Sequence, residues 1–506
     1  MHRKSELREL NGRKALFVDG QPFLILSLQL NCDSCFDPER IDRLLKNASR
    51  MGCNTVALPL YWRLIEPEEG RFDLSILRDM LSSANRYRLK IVLVWFGAYK
   101  NAAMHYAPDW LNEDRERFRR VQREDGTTVD SVACFNCEET LLKDARAVRR
   151  VFSYLRDQDT ERAVILFQVN NETGILGDTD RCYCAACNRK FRDGRYSERF
   201  PDRAAEAFLA ESDLAYQEKI AETAREIYDI PCYMNAWLQQ PAPDARPGYT
   251  YPGGGPVQRV LDIYFEQKHF IDFVAPDIYT PDYHDFMRVC KTYRAEGNPL
   301  YIAEHALGTG SRAGKNLYYG IGEFSILGFD PWAIDCAYPN IMERPLCDPV
   351  HELWNDEAYE ILESYLPIRN AMRPVMENMG TEKLKYWVQE DGESGVTLPF
   401  GDVRLEIGYS SAGPISGTND FKTEGSASAG RGLAIRLDEK TFLTLGCRSF
   451  VRFCDAGGSP LEMKHSAFGH YDGDRFVSEG ENLIAFGTRR NCIWMMNVGV
   501  SLTTLA

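Results

Sequence analysis

Short apolar runs, each closed by a polar or aromatic residue, alternate along most of the chain with stretches of helical periodicity. Strands are predicted over Leu16–Gly20 and Pro22–Gln29, which flank a turn at Asp19-Gly20, and over Thr55–Tyr61, Lys90–Phe96 and Ala163–Asn171. Further strands follow at Cys232–Trp237, Phe273–Tyr279, Leu300–Glu304 and Phe329–Ile334. Between them lie helical patterns at Pro38–Met51, Leu74–Tyr87, Glu138–Asp157, Ala204–Tyr228, Val257–Phe270, Tyr283–Ala295 and Leu317–Leu327, and His351–Met376 closes the series. The first helix has Asp37 as N-cap and Gly52 just past its end.

Strand and helix alternating in this way, repeated about eight times, predict an α/β fold closed as a (β/α)8 TIM barrel. No glycine-rich phosphate loop follows the first strand, which argues against a dinucleotide fold. One long insertion, from Gly97 to about Asp130, interrupts the alternation, and its charge-dense run EDRERFRRVQRED at 113–125 reads as a solvated helix face. From about Gly380 helical periodicity stops. Stretches such as VRLEIGY, GLAIRL, FLTLGC, SFVRFC, LIAFGT and CIWMMNV are separated by Gly, Ser and Asp, with Gly425–Gly432 as a loop among them. The division predicted is a catalytic barrel over 1–379 and an all-β, sandwich-like accessory domain over 380–506.

Composition narrows the function classes. A chain of 506 residues, 44% hydrophobic and 26% charged, is globular and large enough for more than one domain. Its net charge of −14 argues against nucleic acid or an anionic membrane as partner. Neither a transmembrane run nor a secretory h-region is visible. The 15 cysteines therefore read as reduced thiols with a metal site among them, in a cytoplasmic enzyme.

In a barrel, the polar residues at strand C-termini face the active site. Here these are Asn31, Tyr61, Trp95, Asn171, Glu172, Asn235, Trp237, Tyr279, Glu304 and Trp332. Counting barrel strands from Pro22–Gln29, Glu172 ends the fourth and Glu304 the seventh, on opposite sides of the mouth, as two carboxylates flanking a glycosidic bond would be. Asn171 is placed to bond a sugar hydroxyl, and Tyr279 to keep Glu304 ionised and oriented. Asn31 and Asn235 are candidate hydroxyl binders. Trp62, Trp95, Trp237 and Trp332 are candidate stacking platforms. Asp277 and Asp335 are held in reserve, and a structural role is expected for His305. Cys182, Cys184 and Cys187 offer three thiolates at short spacing; Cys134 or Cys137 would complete a tetrahedral, structural Zn2+ site.

VNNETG followed by DRCYCAACNRKFR resembles glycoside hydrolase family 42, whereas VDGQPFLILSLQLN, YWRLIEPEEGRFD and VWFGAYKNAAMHYAPDWL resemble bacterial β-galactosidases related to family 35. Either resemblance implies a retaining β-galactosidase with Glu172 as acid/base and Glu304 as nucleophile. Family 42 also implies zinc, and its Cys-Phe-Asn context favours Cys134 over Cys137. Thr173 departs from the family pattern, and the resemblance assigns no accessory domain to the C-terminal β region. Homo-oligomerisation is compatible with these families, although no surface is singled out for it.

The expected activity is exo-hydrolysis of terminal β-D-galactosides in an oligosaccharide or glycoside, with no cofactor needed for the chemistry. The competing specificities are β-glucosides, β-fucosides and α-L-arabinopyranosides. A catalytically silent glycan-binding barrel is the rival of another class, and the carboxylate pair argues against it. A zinc-dependent hydrolase would need a motif of the HExxH type, which is absent from the sequence.

Overall fold

The computed structural model describes residues 5–239, 242–307, 312–332, 356–409, 429–481, 492–495 and 499–506. Its centre is an eight-stranded parallel sheet. In chain order the strands are Ile25–Leu26, Thr55–Tyr61, Lys90–Phe96, Val164–Gln168, Cys232–Trp237, Phe273–Ile278, Tyr301–His305 and Gly328–Pro331, hereafter the first to eighth. The eighth pairs with the first in parallel. The ring closes beyond the short first strand, where Gln29 bridges Ala57 on one side and Trp332 on the other. This is the (β/α)8 barrel expected. Near-continuous apolar composition explains the strands: the second strand is buried at every position, wedged between the barrel interior and the helical layer.

Helix Pro38–Arg50 begins where Asp37 accepts from Glu39 N and ends before Gly52, whose φ of +88° suits only a glycine well. Several boundaries differ from the sequence reading for identifiable reasons. The run Pro22–Gln29 is split. Gln21–Phe23 joins Ser5–Leu10 and Arg13–Val18 in a small antiparallel sheet, and the barrel takes over from Ile25–Leu26 to the Gln29 bridges. The charge run at 113–125 is not a helix. A short helix, Asp109–Glu113, leads into a hairpin of Arg120–Gln122 with Thr128–Ala133. Arg115 and Arg117 are held by Asp130 and Glu69, and Arg120 is buried against the backbone oxygens of Phe118, Asn112 and Asp130. Helix Ala313–Tyr319 widens into a π turn, Gly320–Phe324, and stops at Ser325. The closing helix breaks at Ala371 into Asp356–Asn370 and Met372–Asn378. Its predicted start, together with Asp335, LIAFGT and the first half of the Gly425–Gly432 loop, lies outside the described residues; Arg431 and Gly432 themselves begin a strand.

Beyond Asn378 the chain is all-β, as expected. A six-stranded sheet faces a four-stranded one, and Trp387, Leu405, Phe442, Val451 and Phe453 fill the space between them. The larger sheet lies on the barrel, where Leu433, Ile435, Leu443 and Leu445 extend the barrel's own core. Arg431, wholly buried, donates to Ser364 Oγ (3.0 Å) and Glu360 O (3.2 Å), so a guanidinium ties the sheet to the closing helix.

Candidate active site

Two glutamates and an aspartate meet at the C-terminal mouth of the barrel. One carboxylate oxygen from each of Glu172, Asp277 and Glu304 lies within 4.8 Å of the others. All three are buried. Asp277 and Glu304 are register partners on the sixth and seventh strands, and Trp237 pairs with Asp277 from the fifth. Register partners in a parallel sheet point to the same face, so these side chains form one inward row.

Glu172 stands just past the fourth strand with a left-handed φ of +46°, in a run that also holds Asn170 at +56°. Such geometry is costly for a non-glycine residue and needs surroundings that enforce it. Those surroundings are visible. Asn170 Nδ2 donates to Gln217 Oε1 (2.7 Å), Thr173 Oγ1 to Asp213 Oδ2 (2.5 Å), and Glu172 N to Asn235 Oδ1 (2.8 Å). Gly97 lets the third strand's loop come close: a Cβ there would strike the side chains of Trp95, Asp144 and Asn170. Asn101 Nδ2 donates to Glu172 Oε2, and Lys100 Nζ to Asn101 Oδ1.

Glu304 accepts three hydrogen bonds. Gln29 Nε2 and Asn171 Nδ2 reach Oε1, each at 3.1 Å, and the Tyr279 hydroxyl reaches Oε2 at 2.5 Å. The Trp332 ring meets Tyr279 edge-on at 6.3 Å. Asn235 Nδ2 donates to Asp277 Oδ2 (2.7 Å), so Asn235 joins two of the acids. Gln29 Oε1 and Asn171 Oδ1 are buried without a hydrogen-bond partner among the described residues, two acceptors ready for hydroxyl donors.

Burial, and then the Glu304 charge, push the Glu172 carboxyl up to about 7 against the pull of Lys100, Asp277 and Asn101. Asp277 is driven well above the usual carboxylate range, again by burial first and then by Glu304 and Glu172. Burial works against the Lys100 charge, but Cys32, Glu172, Glu304 and Asp277 outweigh it and raise the ammonium's pKa.

Other candidates fall elsewhere. Trp95 is wholly buried and its Nε1 donates to Asp144 Oδ1 (2.7 Å), so it faces the helical layer and not the cleft. Trp62 is likewise buried, bonded to Glu66 and edge-on to Trp110. Asn31 Oδ1 accepts from Cys32 N (2.6 Å) and shapes the turn after the first strand. Burial lowers the His305 pKa to about 4; the neutral ring donates from Nδ1 to Ala306 O (2.6 Å) and accepts at Nε2 from Asn316 (2.9 Å). The sequence reading overlooked Gln29, Lys100 and Asn101. Gln29 is the one amide in the otherwise mainly apolar run FLILSLQL, a signal that could have singled it out.

The sulfurs of Cys134, Cys182, Cys184 and Cys187 also lie within 4.8 Å of one another, and Cys134 and Cys187 approach to 3.4 Å without a disulfide. Four mutually close thiols fit a tetrahedral Zn2+ with bonds of about 2.3 Å. Cys137 is turned away, its Sγ donating to Arg117 O.

A (β/α)8 barrel with paired buried glutamates at the ends of its fourth and seventh strands is an arrangement that glycoside hydrolysis can use. The chain resembles glycoside hydrolase family 42. That family, described as β-galactosidase, matches residues 34–200, and a domain of unknown function, DUF5597, matches residues 361–481. β-Galactosidase Bga of Halorubrum lacusprofundi is 30% identical over 135 residues, 26% of this chain and 18% of that protein. A Thermus thermophilus β-galactosidase is 29% identical over 165 residues, 31% of this chain and 24% of its own. The chain thus spans under a quarter of the curated relatives it matches. Among solved structures, the E323A catalytic mutant of Gan42B, a family 42 β-galactosidase from G. stearothermophilus, superposes with a TM-score of 0.53 at 15% identity, over 75% of this chain and 59% of that one. No helix among the described residues is long and apolar enough to cross a membrane.

Proposed function

We propose that this protein is a retaining exo-β-glycosidase, foremost a β-galactosidase, that removes terminal non-reducing β-D-galactosyl units from oligosaccharides or glycosides. The observation that carries the reading is the short separation of two buried, differently placed carboxyls, Glu172 and Glu304. Retaining enzymes hold the pair about 5 Å apart, and inverting ones leave room for a water. Glu304, oriented by three donors, attacks the anomeric carbon while Glu172 protonates the departing oxygen. Water then displaces Glu304 from the sugar, giving its proton to Glu172. Asn171 and Gln29, with their free acceptors, receive sugar hydroxyls, and Trp332 and Trp237 border the ring-binding space.

In the same reading, Zn2+ on Cys134, Cys182, Cys184 and Cys187 is structural. Four thiolates leave no open position, so the metal braces the loop against the Arg120–Ala133 hairpin and takes no part in the chemistry. Residues 380–506 form an accessory β domain on a catalytic barrel of residues 1–379, and the described thiols, all unpaired in disulfides, suit the cytoplasm.

A panel of nitrophenyl glycosides tests the proposal on the wild type, Glu172→Gln and Glu304→Gln. The expected result is turnover of the β-galactoside, on the order of 10³-fold lower in each variant. Azide should rescue Glu172→Gln with retention, whereas any glycosyl azide formed by Glu304→Gln should be inverted. No cleavage of any glycoside, or full activity in Glu304→Gln, sinks the reading.

A further inference from the structure

We propose that Lys100, acting through Asn101, is a positioning residue that serves as the shared counter-cation of this site, balancing the negative charge as it passes between Glu304 and Glu172. The inference rests on the glycosidase reading and adds to it a group that the carboxylate pair alone does not supply.

The geometry is built for the purpose. The loop after the third strand makes a tight turn, with Lys100 N on Ala103 O (2.8 Å) and Ala103 N on Lys100 O (3.1 Å). Asn101 and Ala102 are both left-handed, at φ +52° and +53°, although neither is glycine. That strained turn is docked by its backbone onto the acid/base: Asn101 N donates to Asn171 O (3.2 Å) and Ala102 N to Glu172 O (3.0 Å). Two consecutive left-handed residues persist only where the surroundings over-determine them, and such spots cluster at functional sites. The product of the turn is a lysine only 5% exposed. Its ammonium donates to Asn101 Oδ1, and the Asn101 amide passes a hydrogen bond to Glu172 Oε2. Burying an ammonium is costly unless it is matched by anions. The groups facing it from neighbouring elements are Cys32 after the first strand, Glu172 after the fourth, Asp277 on the sixth and Glu304 on the seventh, with His105 on its own loop. Around these acids lie Tyr233, Tyr279 and Asp330. Among the described residues, Lys100 is the cation that faces all three carboxyls.

Charge bookkeeping shows why one cation suffices. The reaction requires Glu304 to start as the anion, as a nucleophile, and Glu172 with a proton, as an acid; with Asp277 driven toward its neutral form, the sum with Lys100 is zero. In the first step the bond from Glu304 to the anomeric carbon forms as the glycosidic bond breaks, and the Glu172 proton goes to the leaving oxygen. Glu304 is now a neutral ester and Glu172 an anion, so the sum is again zero. In the second step a water oxygen bonds to the anomeric carbon, the ester bond breaks, and the water proton returns to Glu172. The negative charge crosses the site twice per turnover, and Lys100 faces both of its resting places.

The test compares Lys100→Met, Lys100→Arg and Asn101→Ala with the wild type by pH profiles of kcat/KM on a nitrophenyl β-galactoside. Lys100→Met should move both limbs to higher pH by about 1 unit or more, since an opposite charge at short range shifts a carboxyl by that much. Lys100→Arg should restore much of the wild-type profile, and Asn101→Ala should move the basic limb alone. An infrared titration of the protonated-carboxyl band, assigned with Glu172→Gln, reads the same shift without turnover. A wild type that cleaves nothing therefore defeats the glycosidase reading, while the infrared midpoint still decides the role of Lys100. Unmoved limbs and an unmoved midpoint in folded Lys100→Met or Asn101→Ala overturn the proposal.

Discussion

Asn171 Nδ2 lies 3.1 Å from Glu304 Oε1, so the residue beside the proposed acid/base is bonded across the barrel to the proposed nucleophile. One amide thereby fixes both partners. Its backbone follows the fourth strand, its Nδ2 orients Glu304, and its Oδ1 remains unpartnered among the described residues. A sugar hydroxyl is the natural donor for that oxygen. Asn171→Ala removes both bonds, and kcat should fall roughly 100-fold, the scale of losing one aligned donor in a transition state. A loss in KM alone, with kcat intact, would reduce Asn171 to a simple binding contact.

The Glu172 carboxyl, held up at about 7 by burial and by Glu304, has two consequences of definite sign. The acid form is the one that protonates a leaving group, so kcat/KM should decline as pH rises through about 7. Stability follows the same group. A carboxyl raised from 4.5 to about 7 binds more protons folded than unfolded between those values, so its contribution to stability falls with rising pH across that window and is level above it. The cost amounts to at most about 3 kcal/mol. Glu172→Gln should accordingly be more stable than the wild type at pH 8 and nearly equal to it at pH 4.5. Thermal melts at the two pH values check this; a uniform offset contradicts it.

The barrel was legible because burial on both faces leaves unmistakable apolar runs, as in TVALPLY and KIVLVWF. Glu172, Glu304 and Tyr279 were legible because a polar residue ending such a run has few other uses. Side-chain direction was harder to read. Trp95 and Trp332 look alike in sequence, yet the pleat turns Trp95 outward to Asp144 and leaves Trp332 beside Tyr279. Lys100 and Asn101 sit past the strand end in an irregular turn, where no periodicity reports direction. The first strand was misread in extent because the mainly apolar run from Pro22 continues without a break although Gln21–Phe23 serves the small sheet and the chain from Ile25 serves the barrel.

Zinc removal separates bracing from positioning. The link from Glu172 to the cysteines is pinned before it reaches them, by Thr173 on Asp213 and by the bridge of Ile175 with Gly253. Beyond these pins the thiols hold the hairpin instead: Gln122 N donates to Cys182 Sγ (3.4 Å) and Asn136 Nδ2 to Cys187 Sγ (3.4 Å). Chelation, or Cys184→Ser, should abolish zinc content and lower the melting temperature, with turnover per folded molecule kept within a few-fold. A large loss of kcat in protein that remains folded would show that the metal holds Glu172 after all.

Glu390, in the turn after the first strand of the β region, reaches back to the barrel. It accepts from Arg312, from Lys315 Nζ (3.1 Å) and from the Tyr319 hydroxyl (2.6 Å). All three donors lie on the segment that follows the seventh strand. Asn316, next to Lys315, donates to His305 Nε2, and His305 adjoins Glu304. The β region therefore fastens the stretch of chain that carries the nucleophile. Glu390→Gln keeps the shape but removes the charge that holds two cations together. As Glu390 is partly exposed, the change in stability should be small. Positional precision matters more to rate than to folding, so kcat/KM should drop roughly tenfold while the melting temperature moves little. If kcat/KM is unchanged, the contact serves only to hold the two parts together.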